Sequence, residues 1–164
     1  MFADARESEA PVAGLLHLRN EPDLQIMSTK GSCACGEVAF QFSGEPVVTA
    51  LCHCVDCQKW TGGAFTSNAV VPRTSFQVTK GTPKTWDVVG GSGKVNRHFF
   101  CGTCGSGLYT ELEVMPDVTC VKGGGLDGGA ASLGGRIGVE FYTKDRVGYL
   151  QGCEGARQEK AFGG

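Results

Sequence analysis

Cys52-His53-Cys54-Val55-Asp56-Cys57 places three cysteines within six residues, and two further pairs stand at a distance on either side, Cys33-Ala34-Cys35 and Cys101-Gly102-Thr103-Cys104. Seven of the nine cysteines therefore fall into three tight clusters. Thiolates at such spacings are a usual ligand set for zinc, which takes four of them tetrahedrally in a structural role and keeps one position open when three protein ligands hold it for chemistry. Four ligands plus three predicts one closed zinc site and one open one. The odd cysteine count, with no stretch patterned as a secretion signal, argues against a disulfide framework, because a reducing compartment favours thiols and metal thiolates.

The outer pairs each run into a glycine, Gly36 and Gly105, where backbone folds tightly round a metal with its N–H groups toward sulfur. Cys33, Cys35, Cys101 and Cys104 are read as one structural zinc site that fastens the start of the domain to its middle across a long loop. Cys52, Cys54 and Cys57 form the open site. His53 sits between two ligands and would have to reverse direction to join them, so it is read as a support behind the ligands or a solvent-facing residue. His98 and Cys120 are the residues that tertiary approach would have to bring up to complete the set, and Cys153 stands alone, a free surface cysteine or a resolving thiol. Three thiolates leave zinc with a net charge of about −1, a soft and weak Lewis acid that favours sulfur over water in its open position. That site suits making or breaking carbon–sulfur bonds through a thiolate.

A chain of 164 residues is enough for one domain with a real core. It has 26 glycines and few helix-favouring runs, which points to a mainly β domain of short strands. Val38, Phe40 and Phe42 alternate with Ala39 and Gln41 as a half-buried strand does, and similar runs recur at residues 68–71, 75–79, 94–100, 108–112, 118–122 and 136–143. Turn signals such as Lys80-Gly81-Thr82-Pro83 and Gly90-Gly91-Ser92-Gly93 separate them, so the sheet is expected to be antiparallel with short connections. One helical turn over residues 56–60, stopped by Gly62 and Gly63, would present Cys57 near backbone N–H groups. Glycine-rich residues 123–135 lack a phosphate-loop lysine pattern and read as a flexible loop. Residues 1–27 carry five acids, two arginines and two prolines and read as a poorly ordered extension, with a short amphipathic helix near residues 14–18 as the alternative. The zinc-binding domain is assigned to residues 28–155 and a C-terminal tail to residues 156–164.

Fifteen basic residues against seventeen acidic ones give a formal charge of −2, and no segment gathers the Lys/Arg density that phosphates require. Nucleic acid is therefore not an expected partner. No run approaches the roughly 18 apolar residues of a membrane span, so the chain is expected to be cytoplasmic with no membrane partner.

Taken together, Gly31-Ser32-Cys33-Ala34-Cys35-Gly36, Cys52-His53-Cys54-Val55-Asp56-Cys57-Gln58-Lys59 with Gly62, and Arg97-His98-Phe99-Phe100-Cys101-Gly102-Thr103-Cys104-Gly105-Ser106 resemble the glutathione-dependent formaldehyde-activating enzyme family, which includes centromere protein V. The likeness runs from about residue 28 to about residue 150, with Gly125-Leu126-Asp127 and residues 140–146 similar to the family's closing strands. It implies an antiparallel β-tent of the Mss4-like kind, a structural zinc on Cys33, Cys35, Cys101 and Cys104, and a catalytic zinc on Cys52, Cys54 and Cys57. It also implies condensation of formaldehyde with glutathione to S-hydroxymethylglutathione, a carbon–sulfur lyase reaction, with glutathione or a related thiol as cosubstrate. Lys59 and Arg97, and with them Arg73, Lys144 and Arg146, are candidates for holding the peptide's carboxylates, and Trp60 or Phe65 for lining the pocket. Two departures bear on substrate choice: Arg146 is followed by Val147-Gly148-Tyr149 where relatives often carry a tryptophan, and Gly134-Gly135-Arg136 stands where many have a histidine. The rival readings are a zinc-stabilised protein-binding module without catalysis and a redox or metal-buffering protein in which clustered thiols exchange zinc for disulfide.

Overall fold

Val38, Phe40 and Phe42 do what period two requires, since all three are buried. The two phenylalanines lie in β2 (Ala39–Ser43), which runs between β1 (Ser28–Ser32) and β5 (Phe76–Lys80) in an antiparallel sheet of three strands. These elements belong to a computed structural model that describes residues 28–162, so the extension assigned to residues 1–27 lies outside the described residues.

The second sheet has eight strands. They are β3 (Val48–Cys52), β4 (Thr66–Pro72), β6 (Lys84–Val89), β7 (Val95–Phe100), β8 (Gly107–Leu112), β9 (Met115–Lys122), β10 (Val139–Phe141) and β11 (Arg157–Glu159). Their spatial order is β11-β10-β3-β4-β9-β8-β7-β6. One helix, α1 (Val55–Thr61), links β3 to β4. The two sheets lean together as the expected β-tent, and the core fills the angle between them. Val38, Phe40 and Phe42 cluster there with Ala69 and Val71 of β4, Tyr109 of β8 and Val121 of β9. Aromatic rings run through this layer, with Phe76 and Tyr109 centred 4.6 Å apart and Phe99 and Tyr109 centred 4.2 Å apart.

Strand alternation then fixes what the other face of the large sheet carries. If Ala69, Val71 and Val121 face the core, then Thr66, Asn68, Val70, Cys120 and Lys122 face away from it. The register aligns these away-facing residues in rows, one through Val139, Ala50, Asn68 and Lys122, another through Val70, Cys120, Thr110, His98 and Trp86. This second face, not the core, lines the cavity described below.

Several expectations are refined. The sheet is antiparallel except at one edge, where β10 runs parallel to both β3 and β11. A parallel neighbour needs a long crossover rather than a hairpin, and the segment after β9 supplies part of it. Residues 157–159, expected within a tail, form β11 and hydrogen-bond into that edge. The glycine-rich segment, expected to be a flexible loop, folds into two 3₁₀ turns at Gly123–Gly125 and Gly129–Leu133. It docks on β1 through a bridge between Gly31 and Leu126 and a 2.9 Å bond from Asp127 N–H to the Lys30 carbonyl.

Gly31 permits that docking by having no side chain. A Cβ there would meet the Phe40 ring at 2.5 Å and collide with the Gly125 carbonyl oxygen. Gly31→Ala is expected to destabilise the chain by about 1–3 kcal/mol in urea unfolding, the usual cost of overpacking a closed contact. An unchanged midpoint would show that the turn is not held against β1.

Candidate metal centres and the cavity beside them

The four-cysteine cluster forms where two turns meet. Cys33 and Cys35 follow β1, Cys101 and Cys104 follow β7, and all four sulfurs lie within 4.8 Å of one another. Cys33 and Cys35 Sγ are 3.5 Å apart, Cys35 and Cys101 Sγ 3.7 Å. Four sulfurs placed about 2.3 Å from a central zinc stand about 3.8 Å apart, so the donor set fits a tetrahedral thiolate site. The backbone N–H groups of Val38 and Thr103 donate to Cys33 and Cys101 Sγ at 3.2 and 3.4 Å, as thiolates need. The Ser106 hydroxyl lies 3.2 Å from Cys104 Sγ and, with its backbone N–H, draws that thiol down to about 5.

The three-cysteine cluster is assembled from a strand end and a helix start. Cys52 closes β3, Cys54 caps α1 and Cys57 sits in its first turn. Cys54 is a good cap because its extended backbone lets its sulfur accept the Cys57 N–H at 3.3 Å. Gly62, at φ 66°, closes the helix in the left-handed conformation that glycine tolerates. Cys52 and Cys54 Sγ are 3.6 Å apart, again close to the tetrahedral spacing, and the Thr66 hydroxyl donates to Cys57 Sγ at 3.3 Å. Hydrogen bonds from Cys52 and Cys54, with help from Lys122 and Thr66, draw the Cys57 thiol down to about 2, and contacts with Cys54 and Cys57 push Cys52 up. Among the described residues no fourth His, Cys, Asp or Glu joins these three sulfurs. Cys120 and His98, the tertiary candidates, line the same cavity without entering the cluster.

That cavity has a volume of about 810 Å³. Cys52, Cys54 and Cys57 line it with Thr66, Asn68, His98, Thr110, Cys120 and Lys122, and Val48, Val70, Val139 and Phe141 make its apolar wall. His98 bonds through Nδ1 to the Thr110 hydroxyl at 2.9 Å and stacks on Trp60, ring centres 4.4 Å apart. Burial, with the charge of Lys122, pushes His98 down to about 4, so it is neutral at physiological pH. Trp60 and Phe65 line an adjoining cavity of about 700 Å³, and Thr66 and Lys122 border both.

His53 neither joins the cluster nor faces solvent. It is 1% exposed and turns its ring toward Glu140, Nε2 lying 2.9 Å from Oε2. Glu140 is wholly buried, accepts Arg146 Nη1 at 2.7 Å on the same oxygen, and takes the Cys153 N–H on the other. Burial raises its pKa, but these three donors outweigh that and hold it at about 2. The network braces the Cys52–Cys54 segment from behind and also occupies Arg146.

The remaining candidate cations are similarly placed. Arg97 forms a two-pronged pair with Asp87 on the exposed side of the sheet, both bonds 2.8 Å, and lines neither cavity. Lys59 is exposed on α1 and lines neither cavity. Arg73 pairs with Glu111 at 3.1 Å, and Lys144, on the cavity rim, with Asp145. The structure thus brings neither Lys59 nor Arg97 to the three-cysteine cluster. The cation it does bring is Lys122, which sequence reasoning passed over. The available signal was phase: Lys122 ends the run 118–122 on the same side as Cys120.

The chain matches the family model for the glutathione-dependent formaldehyde-activating enzyme over residues 28–145. The chain belongs to this family. A crystal structure of a Rhodobacter sphaeroides protein, 21% identical, superposes with a TM-score of 0.53 over 66% of this chain and 96% of that one, so the fold is shared. Within the family match lie all seven clustered cysteines, Lys122 and Glu140. Among the described residues no helix is long and apolar enough to cross a membrane.

Glu140→Gln is expected to cost about 3 kcal/mol in denaturant unfolding, because it leaves Arg146 without its buried counter-charge. Since the folded Glu140 carboxyl lies at about 2, below its ordinary 4.5, its contribution is full above pH 4.5 and drains as pH falls toward 2. The variant should lose that part of the acid dependence. Wild-type stability in Glu140→Gln would remove the network's bracing role.

Proposed function

We propose that this chain is a zinc-dependent carbon–sulfur lyase that adds a thiol, glutathione or a close relative, to the carbonyl carbon of formaldehyde or a similar small electrophile, and reverses that addition. The observation that carries this reading is the convergence of three cysteine sulfurs, all within 4.8 Å of one another, on a cavity of about 810 Å³, with no fourth ligand among the described residues. Cys52, Cys54 and Cys57 would hold the catalytic zinc, and Cys33, Cys35, Cys101 and Cys104 the structural one. Zinc bound by three thiolates supplies a soft Lewis acid that favours the thiolate form of an incoming thiol.

The chain's own residues do the rest. Thr66 and the Cys57 N–H donate to the cluster's sulfurs and favour their ionised form. Val48, Val70, Val139 and Phe141 give the cavity an apolar wall. A volume of about 810 Å³ accommodates a tripeptide-sized thiol, and family membership supports glutathione as that thiol. Nine free cysteines suit a reducing compartment such as the cytoplasm.

Cys54→Ser and Cys101→Ser separate the two sites. Each is expected to lower the zinc content from two ions per chain to one by elemental analysis. Cys54→Ser should stay folded by circular dichroism and lose thiol-dependent turnover by at least about 10²-fold, the scale of a removed Lewis acid. Cys101→Ser should unfold at lower temperature, because structural zinc binding is folding free energy. Undiminished turnover in Cys54→Ser would sink the catalytic assignment.

A further inference from the structure

Lys122 closes β9 with 9% of its surface exposed, and it lines the cavity that holds the three-cysteine cluster as well as the adjoining one. A lysine so buried ordinarily has a carboxylate partner, because a desolvated charge without one is costly. Among the described residues no carboxylate lies within salt-bridge distance of Nζ. Its protein bond goes to a neutral acceptor, Asn68 Oδ1, at 2.8 Å. An ammonium has three donors, so two remain for whatever enters the cavity.

Asn68 cannot turn away to serve another role. Its Nδ2 donates to the Thr66 hydroxyl at 2.9 Å, with longer bonds to the Ala50 and Thr66 carbonyls, and Thr66 in turn donates to Cys57 Sγ. Lys122, Asn68, Thr66 and Cys57 therefore form one hydrogen-bonded chain from β9 through β4 to the first turn of α1, with the cation at one end and the sulfur cluster at the other. Such a chain fixes the donor before substrate arrives, which is what stabilising a transient charge requires. The other cations on this cavity, Lys144 and Arg157, are exposed and paired with Asp145 and Glu159.

We propose that Lys122 is a catalytic residue of the thiol addition, its ammonium donating to the carbonyl oxygen of the electrophile while the thiolate sulfur attacks the carbonyl carbon. The inference rests on the thiol-addition reading above. The carbon–sulfur bond forms as the carbonyl π pair moves onto oxygen, the oxygen takes a proton from Nζ, and the resulting amine recovers the proton that the thiol gave up to solvent. In the reverse direction Lys122 removes the hydroxyl proton as the carbon–sulfur bond breaks and the carbonyl re-forms.

The test uses zinc-loaded full chain with glutathione and ¹³C-formaldehyde, the exchange between free and thiol-bound formaldehyde being followed by NMR above its spontaneous rate. Lys122→Met keeps the stem and removes the charge. It is expected to lower kcat by about 10²- to 10³-fold, the effect of deleting one donor to a developing oxyanion, with KM for glutathione and zinc content unchanged. Wild-type kcat in a folded Lys122→Met variant overturns the proposal. So does intact kcat with raised KM for glutathione, which would place the ammonium on a peptide carboxylate instead. Should Lys122→Met fail to fold, Lys122→Arg, which keeps the charge but moves the donors, is expected to lose at least about tenfold in kcat, and wild-type kcat in that variant overturns the proposal. A wild-type chain that does not accelerate exchange removes the thiol-addition reading itself, whereas an active wild type beside an equally active variant removes only the role of Lys122.

Discussion

The centre of the eight-stranded sheet is buried on both faces, and strand geometry obliges each strand to serve two environments at once. On β4 the odd positions Ala69 and Val71 complete the core while the even positions Thr66 and Asn68 face the cavity; on β9 Val121 and Lys122 divide in the same way. A slip of one residue in pairing would exchange the two sets and put an ammonium into the aromatic layer. The hydrophobic core thereby fixes the register, and the register fixes which polar groups meet the cysteines. The cavity inherits its precision from packing on the opposite side of the same strands.

The two cysteine clusters occupy contrasting positions in this frame. The four-sulfur cluster joins the turn after β1 to the turn after β7, and so ties the small sheet to the large one. Two of its cysteines, Cys35 and Cys104, are exposed, which is tolerable where every sulfur has a partner. The three-sulfur cluster instead lies at a strand end and a helix start, braced from behind by His53 and Glu140. Bracing from one side and open space on the other keep a site rigid while leaving room for a ligand.

What could be read from the sequence follows from how local the encoding is. Cysteine spacing is local, so both clusters were legible, as were β2, β7, β8 and β9, whose alternation is plain. Val48–Cys52 was not, because Val-Thr-Ala-Leu-Cys has no alternation, although β3 carries the first cysteine of the open cluster. Exposed β6 and the three-residue β11 lack a pattern long enough to register. Charge is the least local signal. Arg97 sits beside the second cysteine pair in sequence, yet its cross-strand partner Asp87 claims it, and Arg146 is claimed by Glu140.

The resulting division of cations has a chemical logic. Arg73, Arg97 and Arg146 each face a carboxylate, and a guanidinium's rigid fork suits that task. A guanidinium is also a poor proton donor, since it stays charged at any ordinary pH. The cavity instead receives a lysine, whose ammonium can rotate its donors and give one up. Had the fold needed only a counter-charge for the sulfur cluster, an arginine on β9 would have served, with more donors to share among Asn68, Thr66 and the cysteines. A single compact ammonium held by one neutral amide keeps its remaining donors for whatever enters the cavity.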